Sequence, residues 1–153
     1  MNKRIWIYLS DKKISGVLQT SIAKDCTNFI QEWNAHGTKL DSRFKILHEH
    51  FLIFEVNEEN HHASGCSIDK QVQLVKQLEQ KYGINLLNRL LVAYRLNNEV
   101  IVKPAHEVKQ AIKNNVLSPD TITFDTSITN SVQFESEFEK PISASWLMPK
   151  TLV

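Results

Sequence analysis

The sequence predicts an α+β fold of the ferredoxin-like type, in which an antiparallel sheet carries two helices on one face. Three observations support this prediction. Short runs alternate apolar and polar residues, as strands do, and two longer runs repeat apolar residues every third or fourth position, as helices do. Over residues 1–96 the order is strand, helix, strand, strand, helix, strand, which is the split βαβ order βαββαβ. The main alternative is a mixed α/β sheet that residues 97–125 extend.

Each element of this predicted core has its own signal. Residues 5–9 form the first strand, and a long helix follows from Ile14 to Trp33, which we expect Gly37 to terminate because glycine readily adopts the left-handed conformation. Residues 43–47 and 51–56 predict two strands joined by a turn. The second helix extends from about Ser67 to Tyr82, and residues 89–96 predict the fourth strand.

The remaining residues predict an extension and an arm. Residues 97–125 form a strand, a helix and a strand, because Asn97-Asn98 suits a turn and Pro104 suits the first turn of a helix. Residues 126–153 are rich in Ser, Thr and Glu and predict an irregular C-terminal arm, which Trp146 is expected to hold against the body. No repeat or linker divides the chain, so we expect a single domain over residues 1–153.

Charge and cysteine content narrow the classes of function. The net charge of +1 gives no global basic field, so no nucleic-acid partner is expected. Two cysteines do not make a disulfide framework, which predicts reduced thiols and a cytoplasmic location. The apolar start is too short for a signal peptide, and no run approaches the ~20 residues of a membrane span, so no membrane association is expected.

The most informative stretch is the turn Ala63-Ser64-Gly65-Cys66-Ser67-Ile68-Asp69-Lys70, which begins the second helix. A helix N-terminus offers free N–H donors and a partial positive charge, which favour anions and thiolates. With Ser64, Gly65 and Ser67 as ligands, the turn predicts a site for a small anion or phosphate group. In the predicted topology six further ligand-binding candidates converge on it: Arg4, Arg43, Arg95, His36, His61 and His62.

Other interpretations of this turn stay open. Cys66 is a candidate catalytic thiol or redox sensor, for which His36, His61 or His62 would be the base. It is equally an ordinary residue of a helix cap, packed under the helix, with Ser67 as the N-cap. No metal is expected, because the histidines and the single nearby cysteine lack the spacing of zinc sites, and no cofactor is implied. We expect a binding or interaction protein rather than an enzyme.

The predicted sheet leaves one face without a helix. Trp6, Tyr8 and Tyr94 are expected on that face, and exposed apolar faces of this kind usually mark an interface, so a homodimer through them is predicted. The competing explanation is that residues 126–153 fold back and place Trp146 there.

The turn Ser64-Gly65-Cys66-Ser67-Ile68-Asp69-Lys70 also resembles a bacterial family, together with Trp6-Ile7-Tyr8-Leu9-Ser10, Trp33-Asn34-Ala35-His36-Gly37 and Ser145-Trp146. Members of that uncharacterised family have about this length and often carry the label "ABC transporter ATPase". The resemblance covers nearly the whole chain and implies no established activity or catalytic residue. The label conflicts with the residues, because none of the four glycines begins the Gly-x4-Gly-Lys-Ser/Thr pattern of a P-loop. An ABC-type ATPase is therefore excluded.

Overall fold

The computed structural model describes residues 2–150. Within them, four α-helices and nine β-strands follow one another, and a short 3-10 helix lies near the end. In chain order they are β1 (Arg4–Leu9), α1 (Gly16–Glu32), β2 (Asn34–Ala35), β3 (Thr38–Lys39), β4 (Asp41–Leu47), β5 (Phe51–Asn57), α2 (Gly65–Tyr82), β6 (Leu91–Leu96), β7 (Glu99–Pro104), α3 (Ala105–Lys113), β8 (Ile122–Phe124), α4 (Ser131–Glu137), β9 (Glu139–Pro141) and the 3-10 helix (Ile142–Ala144).

The strands form two antiparallel sheets and a small hairpin. The first sheet has the strand order β1-β5-β4, and the second has the order β7-β6-β8-β9. The strands β2 and β3 pair only with each other. The predicted α+β class with antiparallel sheets is therefore confirmed.

The ferredoxin-like sheet is not confirmed, because β6 belongs to the second sheet. β6 pairs along its whole length with β7 across the tight Asn97-Asn98 turn. Residues 129–131 meet the free edge of β1: the Ile5 N–H donates to the Thr129 carbonyl at 2.9 Å, and the Ser131 N–H donates to the Lys3 carbonyl at 2.8 Å. Strand β6 therefore does not join the first sheet, where it was predicted, because it pairs with β7 in a local hairpin and residues 129–131 occupy the edge of β1.

Helices α1 and α2 cover one face of the first sheet. Successive side chains of a strand point to opposite faces, so alternate residues of β1 and β5 meet these helices. Their apolar core includes Tyr8, Leu52, Phe54, Ile22, Cys26, Val75 and Leu78.

The second sheet covers the other face of the first. The core between the sheets contains Ile5, Leu9, Phe51, Ile53, Ala93, Phe124, Ile128 and Phe138. The outer face of the second sheet is in turn covered by α3 and residues 142–148, through Val92, Tyr94, Val108, Ile112, Ile142 and Leu147. The cores thus stack helices, sheet, sheet and helix in four layers, where the sequence predicted two.

This layering corrects the predicted aromatic face. Tyr8 is only 8% exposed and lies under α2, where its hydroxyl donates to Gln71 Oε1 at 2.6 Å. Trp6 packs against the same helix-covered core, whereas Tyr94 is buried on the outer face of the second sheet. The three aromatic residues share no open face, so the predicted homodimer through them loses its surface.

The helix ends agree with the sequence prediction at α2 and differ at α1. Gly83 ends α2 in the left-handed conformation, with φ of 64°. Helix α1 ends earlier than predicted, at Glu32, and Trp33 is already extended. Gly37 instead follows His36 in the turn of the β2–β3 hairpin, where both residues have positive φ.

The predicted irregular arm contains regular structure. Residues 131–137 form α4, and β9 pairs with β8 in the second sheet. Ile142 and Leu147 bury this segment against the sheet, whereas Trp146 is 63% exposed. The neighbours of Trp146 therefore hold the segment in place, and Trp146 does not.

Candidate functional site

The turn before α2 is a capping box that satisfies its own backbone. Ser64, not Ser67, is the N-cap: its Oγ accepts from the Ser67 N–H at 3.2 Å, and the Ser67 Oγ accepts from the Ser64 N–H at 2.7 Å. Ser67 is 1% exposed and its carbonyl accepts from the Trp33 indole N–H at 2.8 Å. The serines predicted to bind an anion therefore bind each other.

A carboxylate of the chain already occupies the neighbourhood of this turn. Glu58 Oε2 accepts from the Ala63 N–H at 2.8 Å, and it lies 3.8 Å from Arg4 Nη1 and 3.7 Å from His62 Nδ1. Sequence reasoning missed Glu58, although it lies in the polar loop after a strand and four residues before His62. The structure thus brings Arg4 and His62 together around an internal anion.

Within the described chain, the other predicted ligand residues form no hydrogen bond or ion pair with residues 64–67. His61 Nε2 lies 2.7 Å from the Ala35 carbonyl, and His36 is exposed at the tip of the β2–β3 hairpin. Arg43 is exposed on β4 opposite Glu55. Arg95 lies in the second sheet, where it pairs with Glu139.

The two cysteines have opposite surroundings. Cys66 is exposed in the first turn of α2, which contradicts the expectation that its sulfur packs under the helix. Among residues 2–150, no histidine forms a hydrogen bond with it. Cys26 is buried in the helix-covered core, where burial, together with the charge of Asp25, raises its pKa to about 12.

A second candidate region lies where the second sheet opens. Among the described residues, strands β6 and β8 pair at Tyr94 and Thr123 alone, and Val92 and Asp125 beyond that bridge line an opening. The opening is a cleft of about 330 Å³, near the lower end of the ~300–1,000 Å³ typical of small-molecule sites. The residues that define its chemistry are Arg89, Val92, Phe124, Asp125, Lys140 and Trp146. We call this region the β6–β8 cleft.

Asp125 and Lys140 neutralise each other in this cleft. The Lys140 ammonium lies 3.0 Å from Asp125 Oδ2, and both the N–H and the hydroxyl of Ser127 donate to Oδ1. Burial raises the pKa of Asp125, but the hydrogen bonds from Ser127 and Lys140 outweigh it and lower the pKa below its usual value. Asp125 is therefore a fixed anion at neutral pH, with its partner in place.

Arg89 and Trp146 have different surroundings. Arg89 lies in the loop between α2 and β6, lines the cleft and is exposed. Its guanidinium forms no hydrogen bond or ion pair with any of the residues described. Trp146 also lines the cleft, and the Lys109 ammonium lies 4.7 Å from the centre of its ring.

Sequence reasoning did not identify the cleft. Arg89 was predicted as the start of a strand, and Asp125 and Lys140 lay at or beyond the predicted last strand. No local pattern marks these residues, because the cleft arises from how far β6 and β8 pair.

Comparisons with known proteins supply no relative for this chain. A scan against protein-family models finds no match, and searches of curated proteins and of solved structures find no significant similarity. In the described part of the chain, no helix is both long and apolar enough to cross a bilayer. Over the same residues, no three His, Cys, Asp or Glu side chains gather in a group suited to a metal ion.

Proposed function

We propose that this protein binds a small organic anion in the β6–β8 cleft. The observation that supports this proposal is that Arg89, which lines the cleft, has no hydrogen-bond or ion-pair partner among the described residues, whereas Asp125 and Lys140 in the same lining form a pair. Guanidinium groups bind carboxylate and phosphate oxygens through two parallel hydrogen bonds. Because Arg89 is the unbalanced charge of the lining, it favours a ligand with one negative group.

The cleft also provides apolar surface for the rest of such a ligand. Leu91, Val92, Phe124 and Leu147 line it beside the charged groups. Small-molecule sites typically combine an apolar wall with a few placed polar groups. The turn before α2 supports anion binding less well, because its serines cap each other and Glu58 supplies a carboxylate there.

Benzoate and benzamide test the proposal directly, because they share a ring and differ in charge. We expect benzoate to shift the backbone amide signals of Val92 and Phe124 in an NMR titration, and benzamide to bind about tenfold more weakly. The variant Arg89→Gln should lose about tenfold in benzoate affinity. The matched control is Arg43→Gln, which removes an exposed arginine outside the cleft and should leave the affinity unchanged.

Two results would contradict the proposal. One is equal binding of benzoate and benzamide, which would remove any role for the ligand's charge. The other is a benzoate response that stays the same in Arg89→Gln, or that moves to the amides of residues 64–68 and so returns the site to the α2 turn.

Thiol chemistry at Cys66 is the second candidate function. The observation that favours it is the exposure of this sulfur in the first turn of α2, where an oxidant can reach it. The test is dimedone trapping after exposure to dilute hydrogen peroxide, read by mass spectrometry. A sulfenic acid trapped at Cys66 supports the candidate, and a thiol that resists oxidation removes it.

A further inference from the structure

We infer that the ligand of the β6–β8 cleft carries an aromatic ring that stacks on the indole of Trp146. This inference rests on the proposed binding of an organic anion at the same cleft. It adds the class of ligand: an aromatic carboxylate.

Trp146 is exposed at the cleft. At 63% exposed, it presents a large apolar ring to solvent while lining a concave site. A ligand ring stacked on the indole removes apolar surface of both rings from water, which stabilises the complex. In this position the ring is available to a molecule in the cleft.

The chain around Trp146 is held in place. Ile142 and Leu147 are fully buried, and the Ser145 hydroxyl donates to the Ile142 carbonyl at 2.7 Å and accepts from the Leu147 N–H at 3.2 Å. A fixed backbone keeps the indole at the cleft, so binding does not have to order it. Such preorganisation increases affinity.

Lys109 contacts the Trp146 ring beside the cleft. The Lys109 ammonium, from α3, lies over the Trp146 ring at 4.7 Å and adds a cation–π contact that steadies the ring. A cleft of about 330 Å³ has room for an aromatic ring with a carboxylate. Stacking on the indole and pairing with Arg89 together favour a planar anion.

Benzoate and cyclohexanecarboxylate separate the ring from the charge. Both carry one carboxylate on a six-membered ring, and only benzoate is planar and aromatic. We expect benzoate to bind wild-type protein about tenfold more tightly, since stacking on an aromatic side chain is worth ~1–3 kcal/mol. Isothermal titration calorimetry measures both affinities.

Variants of Trp146 give an independent readout. Trp146→Leu should reduce the preference for benzoate over cyclohexanecarboxylate to within about twofold, and Trp146→Phe, which keeps a ring, should restore most of it. Thermal unfolding of each variant checks the fold, and the comparison of the two ligands on wild-type protein needs no variant.

The outcomes distinguish this inference from the proposed function. If both carboxylates bind equally to wild-type protein and Arg89→Gln weakens both, anion binding stands and the aromatic ligand is wrong. If neither carboxylate binds while benzamide does, the proposed anion site fails first. A benzoate preference that survives in Trp146→Leu would also overturn the role of Trp146.

Discussion

Polar side chains on the inner face of α2 are mostly hydrogen-bonded within the protein, whereas the β6–β8 cleft contains a charged side chain without such a partner among the described residues. On α2, Ser67 is bonded to Ser64 and Trp33, and Gln71 accepts from Tyr8. The exception is Gln71 Nε2, which is buried and has no partner among the described residues. By contrast, Arg89, which lines the cleft, forms no hydrogen bond or ion pair with any of the described residues.

This difference indicates in which of the two regions a ligand gains more binding free energy. A group that is already hydrogen-bonded inside the protein must lose that bond before it binds a ligand, whereas an unpaired charge gains one. A helix N-terminus is therefore a weak indication of an anion site when its own side chains complete the cap. We therefore expect substitutions on the inner face of α2 to change stability, and substitutions in the cleft to change ligand binding.

The largest expected effect is a fall in the free energy of unfolding at alkaline pH, which follows from the burial of Tyr8. Burial under α2 raises the pKa of Tyr8 from 10.0 to about 12, against the opposing charge of Arg89. Above pH 10 the unfolded chain loses this proton while the folded protein keeps it, so stability falls as pH rises from about 10 to 12. The loss from this group should reach roughly 2–3 kcal/mol in the free energy of unfolding.

Tyr8→Phe removes this dependence and tests its cause. The variant should be about 1–2 kcal/mol less stable than wild type at pH 7, because Gln71 Oε1 loses its donor, and the gap should close as the pH rises above 10. Urea unfolding at pH 7 and pH 11 measures both quantities. Ile22→Val is the control, since it removes a methyl group from the same helix-covered core and no titrating group, so its cost should be equal at both pH values. A constant gap at both pH values would contradict the assignment.

The second prediction concerns the capping box. Ser67→Ala removes the acceptor for the Ser64 N–H and should lower the free energy of unfolding by about 1–2 kcal/mol. Benzoate affinity should not change, because this hydroxyl serves the cap. The control is Ser21→Ala on α1, whose hydroxyl forms no hydrogen bond within the described range. A stable Ser67→Ala protein that no longer binds benzoate would mean that the ligand binds at the α2 turn and not in the cleft.

The sequence predicted correctly the elements that depend on contacts between neighbouring residues. It missed those that depend on contacts between residues far apart in the chain. Helix α2 and the β6–β7 hairpin were predicted because Ser64, Gly83 and Asn97-Asn98 act on neighbouring residues. The second sheet was not predicted, since β6 joins β8 through the pairing of Tyr94 with Thr123, which lie far apart in sequence. The cleft depends on that same long-range pairing, and for this reason its residues carry no local signal.

The third prediction is the acid response of the cleft. The pKa of Asp125 is lowered in the folded protein, so its contribution to stability is present above the unfolded value of about 3.9 and is lost as the pH falls through the folded value. Asp125→Asn should cost less than about 1 kcal/mol at pH 6, because the ion pair is partly exposed. The difference between variant and wild type should shrink at pH 3, as measured by urea unfolding.

Asp125→Asn should also change the affinity of the cleft for benzoate. Without the Asp125 carboxylate, Lys140 loses its partner and adds a second free cation to the cleft. Benzoate should then bind about threefold more tightly at pH 7, because like-sign charge no longer opposes it. Weaker benzoate binding in Asp125→Asn would mean that Asp125 contributes to holding the ligand.

The smallest expected effect is that of Cys66→Ser. Cys66 is exposed at the start of α2, so the change should alter the free energy of unfolding by no more than about 0.5 kcal/mol. In folded wild-type protein, iodoacetamide should alkylate Cys66 and spare Cys26, whose thiol is buried and has its pKa raised to about 12. Mass spectrometry of peptides from native and urea-unfolded protein measures both sites.

Benzoate affinity should be the same in Cys66→Ser, because the cleft lies in the other sheet. Lost affinity would place the ligand at the α2 turn, and equal labelling of Cys26 in folded protein would mean that the helix-covered core opens more readily than its burial indicates.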